Sequence, residues 1–127
     1  VADAAPSGNE LQQRYDEYLG LLPLTAALAG LPPSAGRLFQ EEHIEGRATT
    51  FRAAYRVAKG MLDEVTGGDA AQQRQFRSLL PATIALAGLP PSEARLLTPD
   101  QIEARALTVR AAYRVARAAT KECLGGS

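Results

Sequence analysis

From Leu11 onward, apolar side chains return at steps of four and three: Leu11, Tyr15, Tyr18, Leu22, Ala26 and Ala29. That is the period of one helix face. Leu19, Leu21, Leu24 and Leu28 widen the face. The spacing therefore predicts a first helix buried on more than one side, starting near Glu10 behind a Ser7 or Asn9 cap. Pro23 lies within it and has no amide hydrogen to give, so a kink or restart is expected at Leu22–Pro23. Gly30 followed by Leu31-Pro32-Pro33 is a stop: a residue suited to a left-handed cap, then two that cannot continue a helix. Ser34 is expected to cap one short turn through Arg37–Phe39.

A second helix is predicted from about Glu41 to Val65. With Ile44 at 0° and about 100° per residue, Ala48, Phe51, Tyr55, Ala58 and Leu62 fall within about 40° of it. Ala54, Met61 and Val65 fall at about 260–300°, and the polar Arg52, Arg56, Lys59 and Asp63 lie opposite, at about 60–120°. The apolar arc is wider than one neighbouring helix needs. Thr66-Gly67-Gly68 ends the helix.

The pattern then returns at a constant offset of 58 residues. LLPLTAALAGLPPSAGRL, starting at Leu21, becomes LLPATIALAGLPPSEARL, starting at Leu79, and RAAYRVA stands at both Arg52–Ala58 and Arg110–Ala116. Comparing residues 21–68 with residues 79–126, 29 of 48 pairs are identical, too many for chance, so the chain contains an internal duplication. In the second copy Asp69 is the expected cap, and Phe76 and Pro81 take the places of Tyr18 and Pro23. The last helix has the stronger start signal, Thr98-Pro99-Asp100, and carries Ile102, Ala106, Val109, Tyr113, Ala116 and Thr120 on one face.

These elements predict an all-α chain: a duplicated αα-hairpin forming a four-helix bundle with pseudo-twofold symmetry, the first helix of each repeat kinked. Residues 1–8 read as a flexible lead-in and residues 9–127 as one domain of two repeats, 9–68 and 69–127. Neither hairpin can bury its apolar face alone, so the two are expected to pack on each other or on another molecule.

Composition sharpens this only at points. With three Phe, four Tyr and no Trp, the core must be built mostly from Leu and Ala, which suits closely approaching helices. The single Cys123 cannot form an internal disulfide, and no apolar run reaches the ~20 residues of a membrane span. The opening VADAAPSGN lacks the basic and apolar regions of a signal peptide. A cytoplasmic protein is the expectation. Net charge is zero, yet residues 1–65 hold 6 basic and 9 acidic side chains and residues 66–127 hold 8 and 5. The two halves thus carry −3 and +3, and should attract each other, or a second molecule, modestly.

Arg47 and Arg105 are the least expected residues, because each sits at the edge of an apolar face and must find partners there. One reading has each bonding the free carbonyls at the Gly-Leu-Pro-Pro stop of its own hairpin. A sharper one has Arg47, Arg105, Tyr55 and Tyr113 converging on an anion or a partner's carboxylate. Arg37 and Arg95 follow the double proline in both copies and suit either surface recognition or capping. Arg110, Arg114, Arg117 and Lys121 form a basic stripe, which Asp63 breaks in the first copy. Zero net charge, the absence of a reading motif and the scarcity of aromatics argue against nucleic acid as its target. His43, beside Glu41, Glu42 and Glu45, reads as a helix start and not as a metal ligand.

No phosphate loop, cysteine pair or nucleophile with a histidine base is present. The expected function is therefore a non-enzymatic protein–protein interaction module: an adaptor, regulator or assembly component that binds another protein or itself as a dimer. No cofactor or metal is called for. Anion or small-molecule binding at the paired Arg/Tyr positions, and nucleic-acid binding through the basic stripe, are the alternatives.

Overall fold

The predicted starts and stops of the main helices are met by specific backbone events. The computed structural model describes residues 7–34, 36–93 and 95–125, and those residues form five helices and no strand. They are α1 (Gly8–Ala29), α2 (Glu41–Thr66), α3 (Ala70–Ser78), α4 (Leu80–Ala87) and α5 (Pro99–Cys123). The Ser7 hydroxyl accepts the Glu10 amide at 3.2 Å, Asp69 Oδ2 accepts that of Gln72 at 2.9 Å, and Thr98 Oγ1 accepts that of Gln101 at 3.3 Å. Each takes up one of the amides a helix start leaves free. Gly30, Gly67 and Gly88 close α1, α2 and α4 in the left-handed conformation. The lead-in expected over residues 1–8 lies mostly outside the described residues, of which Gly8 is already helical.

Two local expectations are corrected. No turn forms over Arg37–Phe39, because Gly36 at φ +90° leaves the helical region and sends Leu38 into solvent, 96% exposed. The interruption expected at both prolines appears as a break at only one. Pro23 is carried inside α1, where it and Leu19, whose carbonyl loses its amide partner, both face solvent. In the second copy the helix closes at Ser78, and Leu79 (φ −90°, ψ 2°) hands over to α4. Pro81 then falls in the first turn of a new helix, where its missing amide hydrogen costs nothing. The expected four helices thereby become five.

α1 and α2 form an antiparallel pair. Arg47 reaches Pro32 just beyond the end of α1, Tyr55 meets Tyr18, and Lys59 bonds Glu17 further back along α1. α4 packs along α5, and α2 lies against α5. The buried core draws on both repeats: Leu21, Leu24 and Leu28 from α1, Ala54, Ala58, Met61 and Leu62 from α2, Phe76 from α3, Leu80 from α4, and Ile102, Ala106, Val109 and Tyr113 from α5. Alanines at 54, 58 and 106 let the long helices approach closely, and the leucines fill what remains.

Contacts between the repeats run one way. Glu64 of the first pairs with Arg110 of the second at 2.8 Å. A twofold axis would pair their counterparts, Glu122 and Arg52, but Arg52 instead donates to Thr49 Oγ1 of its own helix. The Ser92 amide of the second repeat donates to the Gly30 carbonyl at 2.8 Å, and Arg105 and Leu97 lie over Gly30. The equivalent Gly88 has open space around its Cα. Leu28 is fully buried, whereas its counterpart Leu86 is 52% exposed. The reciprocal contacts that a pseudo-twofold relation requires are therefore missing at each of these positions.

A pair of substitutions separates the backbone contribution from the packing one. Gly30 and Gly88 have nearly equal φ, 53° and 58°. Alanine at either costs the same ~1–2 kcal/mol of left-handed strain. Only at Gly30 would the added Cβ meet the other repeat, with Arg105 Nη2 at 2.9 Å and Leu97 Cδ1 at 3.1 Å. Gly30→Ala should therefore lower the melting temperature further than Gly88→Ala, by the equivalent of about 1 kcal/mol more. Equal losses would contradict the one-way packing.

Candidate functional site

The two singular arginines are separated by their bonds. Arg47 Nη1 donates to the Pro32 carbonyl of its own hairpin at 2.6 Å, and its guanidinium lies 4.4 Å from the centre of the Phe39 ring. Arg105 Nη2 donates instead across the repeat boundary, to the Ala27 carbonyl in the last turn of α1, at 2.8 Å. The Ala27 carbonyl lies in the last turn of α1 and the Pro32 carbonyl just beyond the helix end, where the helix itself supplies no amide. Burial pulls Arg105 below the ordinary guanidinium pKa, and its Nε is buried without a partner. The guanidinium nevertheless keeps its charge, because this value starts far above neutrality.

The tyrosines do not join them. Tyr55 stacks edge-on against Tyr18 with ring centres 5.2 Å apart, and Tyr113 against Phe76 at 4.8 Å. The structure thus assigns the Arg/Tyr quartet to two aromatic pairs and two carbonyl clamps, and neither Arg47 nor Arg105 lines any of the principal surface grooves. Arg37 is exposed beside Phe39 and His43 on a loop groove. Arg95 is exposed too, and its carbonyl accepts from the Ser92 hydroxyl. The basic stripe is shortened: Arg110 is held by Glu64, Arg117 lies 5.8 Å from the Tyr113 ring centre, and Arg114 and Lys121 stand in solvent. His43 Nδ1 accepts the Gln40 amide at the start of α2. Among the described residues, no three His, Cys, Asp or Glu side chains converge as a metal site would require, and no helix is long and apolar enough to cross a membrane.

What remains open is an apolar face. On α5 the positions Ile102, Ala106, Val109 and Tyr113 are buried. Their counterparts on α2 are Ile44, Ala48, Phe51 and Tyr55; Ile44 is 54% exposed and the other three are half-buried. Tyr18, Ala48, Phe51, Arg52, Tyr55 and Arg56 line a groove of about 420 Å³. The sequence predicted an over-wide apolar arc on this helix. The structure shows which part is spare: the core takes Ala54, Ala58 and Met61, and the Ile44–Tyr55 side is only partly covered. Lys59 and Glu17 close one end of this region with a 2.8 Å ion pair, which holds Lys59 above its ordinary pKa.

The chain matches no protein family, no characterised protein and no solved structure.

Alkaline titration reads the aromatic pairs directly. Burial raises the Tyr113 and Tyr55 hydroxyls above the ordinary 10.0, with nearby Glu17 adding to the shift at Tyr55. A group whose folded pKa is raised binds its proton more tightly in the folded state. Its contribution is complete below about pH 10 and is lost as pH rises from there through the raised value. Tyr113→Phe should leave stability at pH 7 nearly unchanged and make the fall above pH 10 shallower. Identical alkaline slopes in denaturant titrations would contradict this account of the Tyr113 environment.

Proposed function

We propose that this chain is a non-enzymatic helical interaction module that binds protein through the spare apolar face of its first repeat. The carrying observation is the unequal fate of equivalent positions. Ile102, Ala106, Val109 and Tyr113 are buried, whereas Ile44 is exposed and Ala48, Phe51 and Tyr55 are only half-buried. A duplicated hairpin whose first copy keeps its apolar face partly uncovered has a surface suited to docking, and the flanking Phe39 adds to it. The polar side chains near this face act structurally: they cap helices and clamp carbonyls. On this reading the finer architecture is that of two stacked helical hairpins, the second laid against the first without a twofold axis between them.

The test is a comparison of wild type with Ile44→Asp. Ile44 is half in solvent, so the substitution should leave helix content and melting temperature unchanged. Hydrogen exchange at residues 44–55 of wild type should slow when the chain is isolated cross-linked to its protein neighbour, and Ile44→Asp should release that neighbour. A wild-type chain that stays free of any protein, its own copies included, up to about 1 mM, the weak limit of specific affinity, would overturn the reading. So would a neighbour retained equally by both chains.

A further inference from the structure

The interface between the two repeats is heterologous, meaning that each repeat offers the other a different surface. The first repeat receives through Val57, Gly60, Met61 and Glu64 of α2, together with Leu28 and Gly30 at the end of α1. The second inserts Leu97, Ile102, Arg105 and Arg110. A heterologous contact between two copies of one unit leaves both surfaces unsatisfied, one at each end. Because the units here are near-copies, the unsatisfied surfaces can be identified by the offset of 58 residues.

At the far end of the second repeat, the receiving surface recurs as Val115, Ala118, Ala119 and Glu122, with Leu86 and Gly88. Val115 is 55% exposed, Leu86, Gly88, Ala118 and Glu122 are exposed, and Ala119 is half-buried. On the first repeat, the inserting surface recurs as Phe39, Ile44, Arg47 and Arg52, of which Phe39, Ile44 and Arg52 are exposed. These two surfaces are complementary by descent, since they reproduce a contact the chain already makes within itself.

Resting on the docking face proposed above, we propose that its occupant is a second copy of this chain, joined head to tail. The first repeat of one copy packs on α5 of the next as α5 packs on α2. Arg52 of one copy then pairs with Glu122 of the other, as Arg110 pairs with Glu64 inside the chain. Pro99 and Arg56 line the same groove between α2 and α5, so at the joint between copies Glu41 of one and Arg114 of the next come to line the corresponding groove with opposite charges. The charges of −3 on residues 1–65 and +3 on residues 66–127 favour the same polarity. Ala119 fills less of the joint than Met61 does internally, so the contact between copies is weaker than the one within the chain.

The experiment is a charge exchange followed by sedimentation velocity across protein concentration at low and high salt. Wild type should grow in mass with concentration, past a dimer, and less so in high salt. Arg52→Glu alone sets two carboxylates against each other at the joint, and Glu122→Arg alone sets two guanidinium groups against each other there. Each should weaken association about tenfold, equivalent to about 1.4 kcal/mol. Both side chains are exposed, so each variant should keep the wild-type helix content and melting temperature. An equimolar mixture of the two variants, or the double variant, should associate as wild type does. A chain that stays monomeric at every concentration overturns the proposal, and so does a closed dimer indifferent to these charges. In either case the interaction-module reading stands if Ile44→Asp still releases a different protein.

Discussion

The structure depends on one repeat covering the other. Leu24 and Leu28 on α1 and Met61 on α2 are fully buried, and full burial of such a side chain is worth roughly 1.5–3 kcal/mol. A lone hairpin would leave much of that surface in water. The second repeat supplies the cover with α4 and α5, and it seals the end of α1 with a backbone hydrogen bond and a guanidinium. The first repeat does not return the favour on the same surface.

The Gly-Leu-Pro-Pro stops show how local chemistry and packing combine. A left-handed glycine and two prolines end the helix, and carbonyls at and just beyond its end are left without helical amide partners. Arg47 takes up one of these within its hairpin, at Pro32, while Arg105, the same residue one repeat later, takes up another across the boundary, at Ala27. A shared sequence thus serves two ends: it closes one loop and locks two units together. Gly30 makes the second possible, since any side chain there would occupy the space Arg105 uses.

Much of the fold was legible in the sequence because it is written in short-range signals. Ser7, Asp69, Thr98, Gly30, Gly67 and Gly88 each act within four residues, and each does what its type predicts. The amphipathic arc on α2 was legible for the same reason. The relation between the repeats was not, because identical residues cannot reveal which of two equivalent surfaces will be covered. Pro23 and Pro81 make the same point: they are matched in sequence, yet one is carried within a helix and the other opens a new one. The arginines were read as out of place and as bonding carbonyls at the stop of their own hairpin, which Arg47 does; that Arg105 crosses to the other repeat was not legible, because its sequence surroundings match those of Arg47.

A twofold axis would make the distance between positions 57 and 103 equal to that between 115 and 45, since each position maps onto its counterpart. Val57 and Glu103 line one groove between α2 and α5, whereas Glu45 and Val115 belong to the two uncovered surfaces. Spin labels at each pair, in a Cys123→Ser background diluted with unlabelled chain, measure both distances within single molecules. The account predicts a distance for 57–103 much shorter than for 45–115; equal distances would contradict it.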